Sequence, residues 1–152
     1  MTLLTRYFDE LNIGDRWTSA ARTIEHTDLI VWKRLTEPEP QTPTSPGSNA
    51  HRALRRPAAP SLLVNAFAIG LGMPATRGAI LVDYDVEELR FIAPVFVGDT
   101  LRLDSEVLDC RERHHGKDGL VTLRWDVLNQ RNQLVMASRL NCLLASSDRS
   151  RA

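Results

Sequence analysis

The side chains that could move a proton or hold an anion are concentrated in one proline-rich stretch of this chain. Glu37, Glu39 and His51 all fall within residues 36–60. Imidazole titrates near neutrality, and a carboxylate within hydrogen-bond reach of it would complete an acid–base pair. The plain alternative is a solvated loop histidine beside ordinary acidic loop residues. Arg52, Arg55 and Arg56 form the densest basic cluster. Guanidinium groups match phosphate geometry, although a solvated basic face has the same composition. Asn65 stands alone as a strongly polar side chain in an apolar run, where it either meets a ligand or partner subunit or is satisfied by backbone groups. His114 and His115, with Asp118 nearby, lack a third ligand at recognisable spacing and read as surface, so no metal is expected. Cys110 and Cys142 show no paired or ligand spacing and read as reduced structural thiols.

These residues must be positioned by one ordinary domain, because 152 residues are enough for a core without staples. Lys+Arg and Asp+Glu are both 19. A zero formal charge argues against a nucleic-acid partner, which calls for a basic excess. The apolar run at 61–73 is too short to span a bilayer, and residues 1–7 have no secretory pattern, so a cytoplasmic location is expected.

Along the chain, residues 16–24 read as a strand and Thr27-Asp28 as the cap of a short helix carrying Leu29, Ile30, Trp32 and Leu35. The 36–60 segment reads as a long loop. Pro60 then opens a nearly all-apolar segment, 60–71, which predicts a buried helix stopped by Gly70-Leu71-Gly72-Met73-Pro74. Segments 79–90, 100–113, 120–129 and 133–145 predict long strands. Val121, Leu123, Trp125 and Val127 alternate with polar residues, the period-two pattern of a sheet with one wet face. Residues 113–119 and 129–132 predict hairpin turns, and 146–152 a frayed polar tail. The expectation is an α+β domain over 1–146, a long antiparallel sheet wrapped around one central apolar helix, with 147–152 as tail.

Four ordered motifs carry a resemblance to a known family. Tyr7-Phe8-Asp9-Glu10-Leu11-Asn12-Ile13-Gly14-Asp15 is similar to "yFedl.vGd". Arg22-Thr23-Ile24 with Asp28 and Trp32 resembles "rtit…D…fa". Arg90-Phe91-Ile92-Ala93-Pro94-Val95-Phe96-Val97-Gly98-Asp99-Thr100-Leu101 resembles "rF..PV..GDtl". Asp126-Val127-Leu128-Asn129-Gln130 through Leu134-Val135 resembles "v.Nq.g..v". The chain thus resembles the MaoC-like acyl dehydratase, or (R)-specific enoyl-CoA hydratase (hydratase 2), family of hot-dog proteins.

The resemblance implies an acyl thioester of coenzyme A or acyl carrier protein as ligand, no other cofactor, and a homodimer or a heterodimer with another hot-dog subunit. It also implies hydration of a trans-2-enoyl thioester by an Asp and a His from a "GDxNPxHxD" loop. A backbone N–H at the start of the central helix polarises the carbonyl. Here those donors are the amides of Ser61 and Leu62. Aligning Thr36 and Gly70 with the family's threonine and glycine puts Pro38 at the catalytic Asp and Pro43 at the catalytic His. It also puts Pro60-Ser61 in place of His-Gly. A gapped alignment instead makes Gly47-Ser48-Asn49-Ala50-His51 a compressed remnant, with Ser48 in the Asp position. Two readings follow. One is an acyl-thioester binding protein that is weakly active or a non-catalytic subunit; the other is an active hydratase using His51 with Glu37 or Glu39. A thioesterase would need a carboxylate on or beside the central helix, and none stands there.

Overall fold

The computed structural model describes residues 2–37, 56–73 and 79–147, with Asp83 and Tyr84 described through their backbone alone. Among the described residues there are six strands and two α-helices: β1 (Arg16–Thr18), β2 (Arg22–Thr23), α1 (His26–Thr36), α2 (Ser61–Gly72), β3 (Ile80–Phe91), β4 (Thr100–Arg113), β5 (Asp118–Leu128) and β6 (Leu134–Ala145). The sheet runs β1-β4-β5-β6-β3, with β2 also on β4, and all pairings are antiparallel.

Register explains the core. Val121, Leu123 and Val127 of β5 stand opposite Cys142, Leu140 and Met136 of β6, so one face of the sheet is apolar apart from the buried Ser105 and Ser138 beside Trp125. Leu63, Val64, Phe67 and Ala68 of α2 join Leu101, Leu103 and Val107 of β4 in the same buried cluster. A methyl group on Gly72 would collide with the Trp125 ring and Leu103, so α2 approaches the sheet as closely as a residue without Cβ allows.

The strand expected over 16–24 is two strands. Ser19 donates its N–H to the Leu103 carbonyl, and its Oγ accepts the Leu103 N–H at 2.9 Å. That side-chain bond takes the place of a ladder bond, and the chain jogs before β2. The α1 helix begins earlier than expected, at His26 with Glu25 as cap. Asp28 sits three residues beyond the cap, where its carboxylate accepts the Glu25 N–H at 2.8 Å, so it completes a capping box instead of capping directly.

The C-terminal end is also firmer than its composition suggests. Ser146 is buried and donates from its hydroxyl to Asp9, while Ser147 donates to Asp9 from both its amide and its hydroxyl. Those bonds, the Ser147 hydroxyl's first, hold the Asp9 carboxyl at about 2 against an ordinary 3.8. A depressed carboxyl stabilises the docked end above its unfolded value and loses that contribution as pH falls through its folded value. Protection of the Ser147 amide from hydrogen exchange is therefore expected to fade between about pH 4 and pH 2. In Asp9→Asn the Ser147 amide is expected to be less protected at neutral pH, with no acid step left.

Candidate functional site

A groove opens between α1 and the outward side of α2. Val31, Trp32 and Leu35 of α1 face Leu63, Ala66, Phe67 and Gly70 of α2 across a cavity of about 540 Å³. Buried Leu63 and Phe67 form its floor, and exposed Val31, Leu35, Ala66 and Gly70 form its walls. The volume falls within the ~300–1,000 Å³ common for small-molecule sites, and the lining is mainly apolar. Gly70 helps keep the groove open, since no atom lies within 4 Å of where its Cβ would be. Helix α1 buries none of its residues, and Leu35 is 78% exposed. It therefore forms one wall of a cleft, with Leu29 and Trp32 half-buried against the core and Ile30, Val31 and Leu35 exposed.

Arg22 anchors this wall. Its guanidinium lies 4.3 Å from the Phe67 ring centroid, and its Nη2 is 2.9 Å from the Asp28 carboxylate. The cation–π contact steadies the floor, and the ion pair ties β2 to the first turn of α1.

The N-terminus of α2 supplies the polar element. Leu63 and Val64 donate their N–H groups to the Pro60 carbonyl at 2.9 and 3.2 Å. The Ser61 and Leu62 amides thus precede the helical ladder, and both residues are exposed. Free amides at the positive end of a helix dipole suit an oxygen that gains negative charge, such as a thioester carbonyl becoming an enolate. Asn65 is half-buried one turn further on.

The remaining candidates separate. Glu37 ends α1 with its carboxylate 3.4 Å from Lys33 Nζ, on the helix and apart from the groove lining. Arg56 donates to the Val97 carbonyl and lies 3.6 Å from Asp99, which joins it to the Gly98-Asp99 turn. His114 Nδ1 is 2.9 Å from Asp118 in the β4–β5 turn. Cys142 is buried, and burial raises the Cys110 thiol above its ordinary value. Pro38, Glu39, Pro43, Ser48, His51, Arg52 and Arg55 lie outside the described residues. Among the described residues no three His, Cys, Asp or Glu converge on a metal position, and no helix is long and apolar enough to cross a membrane.

Sequence reasoning did not single out the groove. Arg22, Asp28 and Trp32 were visible as motif positions, but their meeting with Phe67 depends on how α1 folds back over α2.

No family model matches the chain. It is 30% identical over 135 residues to the mesaconyl-CoA hydratase of Cereibacter sphaeroides, covering 87% of this chain and 39% of that protein. The chain therefore spans about two fifths of the length of that curated relative. Among solved structures, the monoamine oxidase regulatory protein of Archaeoglobus fulgidus superposes with a TM-score of 0.78 at 26% identity, covering 93% of this chain and 95% of the other. A putative MaoC domain dehydratase from Chloroflexus aurantiacus gives 0.81 at 25% identity, covering 95% of this chain and 41% of that one. The chain's structural neighbours are MaoC-like hot-dog dehydratases and hydratases. The chain also matches part of a Mycobacterium tuberculosis protein described as having a double hot-dog fold, with a TM-score of 0.73 at 23% identity over 93% of this chain and 44% of that one.

Two MaoC-like motifs have structural roles here. Asp99 is 2% exposed; its Oδ2 accepts the Phe96 N–H at 2.9 Å and its Oδ1 accepts from Gln130 Nε2 at 3.0 Å. Gly98, at φ +90°, turns the chain so that its N–H reaches the Ile24 carbonyl at 2.8 Å. Asn129, also buried, closes the β5–β6 turn by accepting the Arg131 and Gln133 amides at 2.9 and 3.1 Å.

Proposed function

We propose that this chain binds the acyl group of a coenzyme A or acyl-carrier-protein thioester, in a reducing cytoplasm, as a weakly active or non-catalytic MaoC-like subunit. The single observation carrying this reading is the apolar groove along α2, on the helix whose Ser61 and Leu62 amides have no backbone acceptor among the described residues and are suited to the thioester carbonyl. An acyl chain is apolar and gains from burial against Val31, Leu35, Ala66 and Phe67. The Arg52, Arg55 and Arg56 cluster is suited to phosphates of the carrier, with Arg56 shared with the Gly98-Asp99 turn.

Hydration needs one group to take a proton from water and another to assist protonation of the α-carbon. Pro38 and Pro43, in the positions the motif assigns to that pair, have no titratable side chain. The second reading is an active hydratase in which His51 acts with Glu37 or Glu39. Hydration of a medium-chain trans-2-enoyl-CoA by the purified chain separates the two. The expected result is turnover lower by about 100-fold or more than a general acid–base pair supports, unchanged in His51→Ala. Robust turnover abolished by His51→Ala would establish the second reading.

A further inference from the structure

Arg22 and Asp28 are the only charged side chains among the described residues that line the α1–α2 groove. A ligand that fills the groove meets both, and the two are committed to different extents. Asp28 is fully engaged: one carboxylate oxygen accepts from Arg22 Nη2 at 2.9 Å, and the other accepts the Glu25 N–H at 2.8 Å. It also stands in the first turn of α1, where the helix dipole offsets negative charge.

Arg22 is engaged only in part. Its bond to Asp28 uses one N–H of the several a guanidinium carries, and no other acceptor meets it among the described residues. The side chain is exposed, and its contact with the Phe67 ring, 4.3 Å to the centroid, fixes the cation on the groove floor. A hydrocarbon chain laid over this floor covers the remaining N–H donors and offers them no acceptor, which costs binding. A chain that ends in a carboxylate offers two acceptor oxygens in the geometry a guanidinium matches.

The position of Arg22 also sets a length. Phe67 lies ~7.5 Å along the α2 axis beyond Leu62, from the rise per residue of an α-helix. With the thioester carbonyl on the Ser61 and Leu62 amides, a chain of about six carbons brings its far end to Arg22, from ordinary bond lengths.

We propose that the acyl group taken by this groove is a dicarboxylic acid monothioester, with its distal carboxylate on Arg22. Such a ligand presupposes the acyl-binding reading given above and extends it to the far end of the chain. Arg22 is then the specificity-determining residue, and Asp28 tempers it by sharing the same guanidinium.

Calorimetric titration with hexanedioyl-CoA and hexanoyl-CoA, equal in carbon count, tests this through the ratio of their dissociation constants. The wild type is expected to bind hexanedioyl-CoA about 10-fold more tightly. Arg22→Gln leaves the distal carboxylate unpaired against an apolar floor and is expected to reverse the preference. Arg22→Lys keeps the charge without the planar fork and is expected to retain a preference of about 3-fold. Asp28→Asn keeps an acceptor for the Glu25 N–H and releases the guanidinium, so the preference is expected to rise to about 30-fold. Damage to the fold weakens both ligands together and leaves the ratio unmoved. A ratio in Arg22→Gln equal to that of the wild type, a wild type that binds hexanoyl-CoA at least as tightly, or a preference that falls in Asp28→Asn would each overturn the proposal. The acyl-binding reading fails separately, if hexanoyl-CoA binds no more tightly than free coenzyme A.

Discussion

Asp99→Ala is expected to lower stability by about 3 kcal/mol, the range for removing a buried charged acceptor with its hydrogen bonds. The carboxylate is almost fully buried, and it accepts the Phe96 amide and the Gln130 side chain from two separate turns. Deleting it leaves the Phe96 N–H and Gln130 Nε2 without their acceptor and frees the nearby Arg56 guanidinium. It also loosens the turn whose Gly98 and Asp99 backbone groups hold Ile24. For a domain of this size the shift in melting temperature is about 6–12 °C. Thermal unfolding followed by circular dichroism measures it. Asn at this position keeps one acceptor oxygen and is expected to show about half the loss. A change of less than about 2 °C in Asp99→Ala would show that the turn is held by its backbone bonds alone.

Ala66→Trp carries the largest expected effect on binding. Ala66 is exposed on α2 and lines the groove opposite α1, so an indole there fills space without entering the core. Each buried methylene contributes about 0.8 kcal/mol. Excluding about four of them weakens a medium-chain acyl thioester by about 3 kcal/mol, or about 100-fold in Kd. Acetyl-CoA reaches the helix terminus without entering the groove, and its affinity is expected to stay within about 3-fold of wild type. Calorimetric titration of both ligands distinguishes a blocked groove from a damaged fold, because damage weakens both together.

The parts of this molecule that were legible in its sequence are those decided by short-range pattern. The alternation of Val121, Leu123, Trp125 and Val127 with polar neighbours marks β5, and the apolar run after Pro60 marks α2. What was hidden depends on single side chains meeting across long separations. Nothing around Ser19 signals that its hydroxyl will replace a ladder bond to Leu103. Nothing in the last residues signals that Asp9, near the other end, will hold Ser146 and Ser147. The same holds for the site. Ser61 and Leu62 were legible as helix-start donors because the backbone alone defines them. The groove was not, because Trp32 and Phe67 belong to segments separated by the proline-rich stretch, and Arg22, packed on Phe67 and paired with Asp28, links α1 to α2. The Gly98-Asp99 motif was legible as a family mark, while its physical role as a clamp between turns required the hydrogen bonds themselves.

The central claim is that an acyl chain lies in the α1–α2 groove, and calorimetric titration with free coenzyme A and saturated acyl-CoAs of increasing length tests it most directly. Affinity is expected to rise about 4-fold per added methylene until the groove is full, with Ala66→Trp flattening the series. Octanoyl-CoA binding no more tightly than coenzyme A, or a series unaffected by Ala66→Trp, would contradict the account.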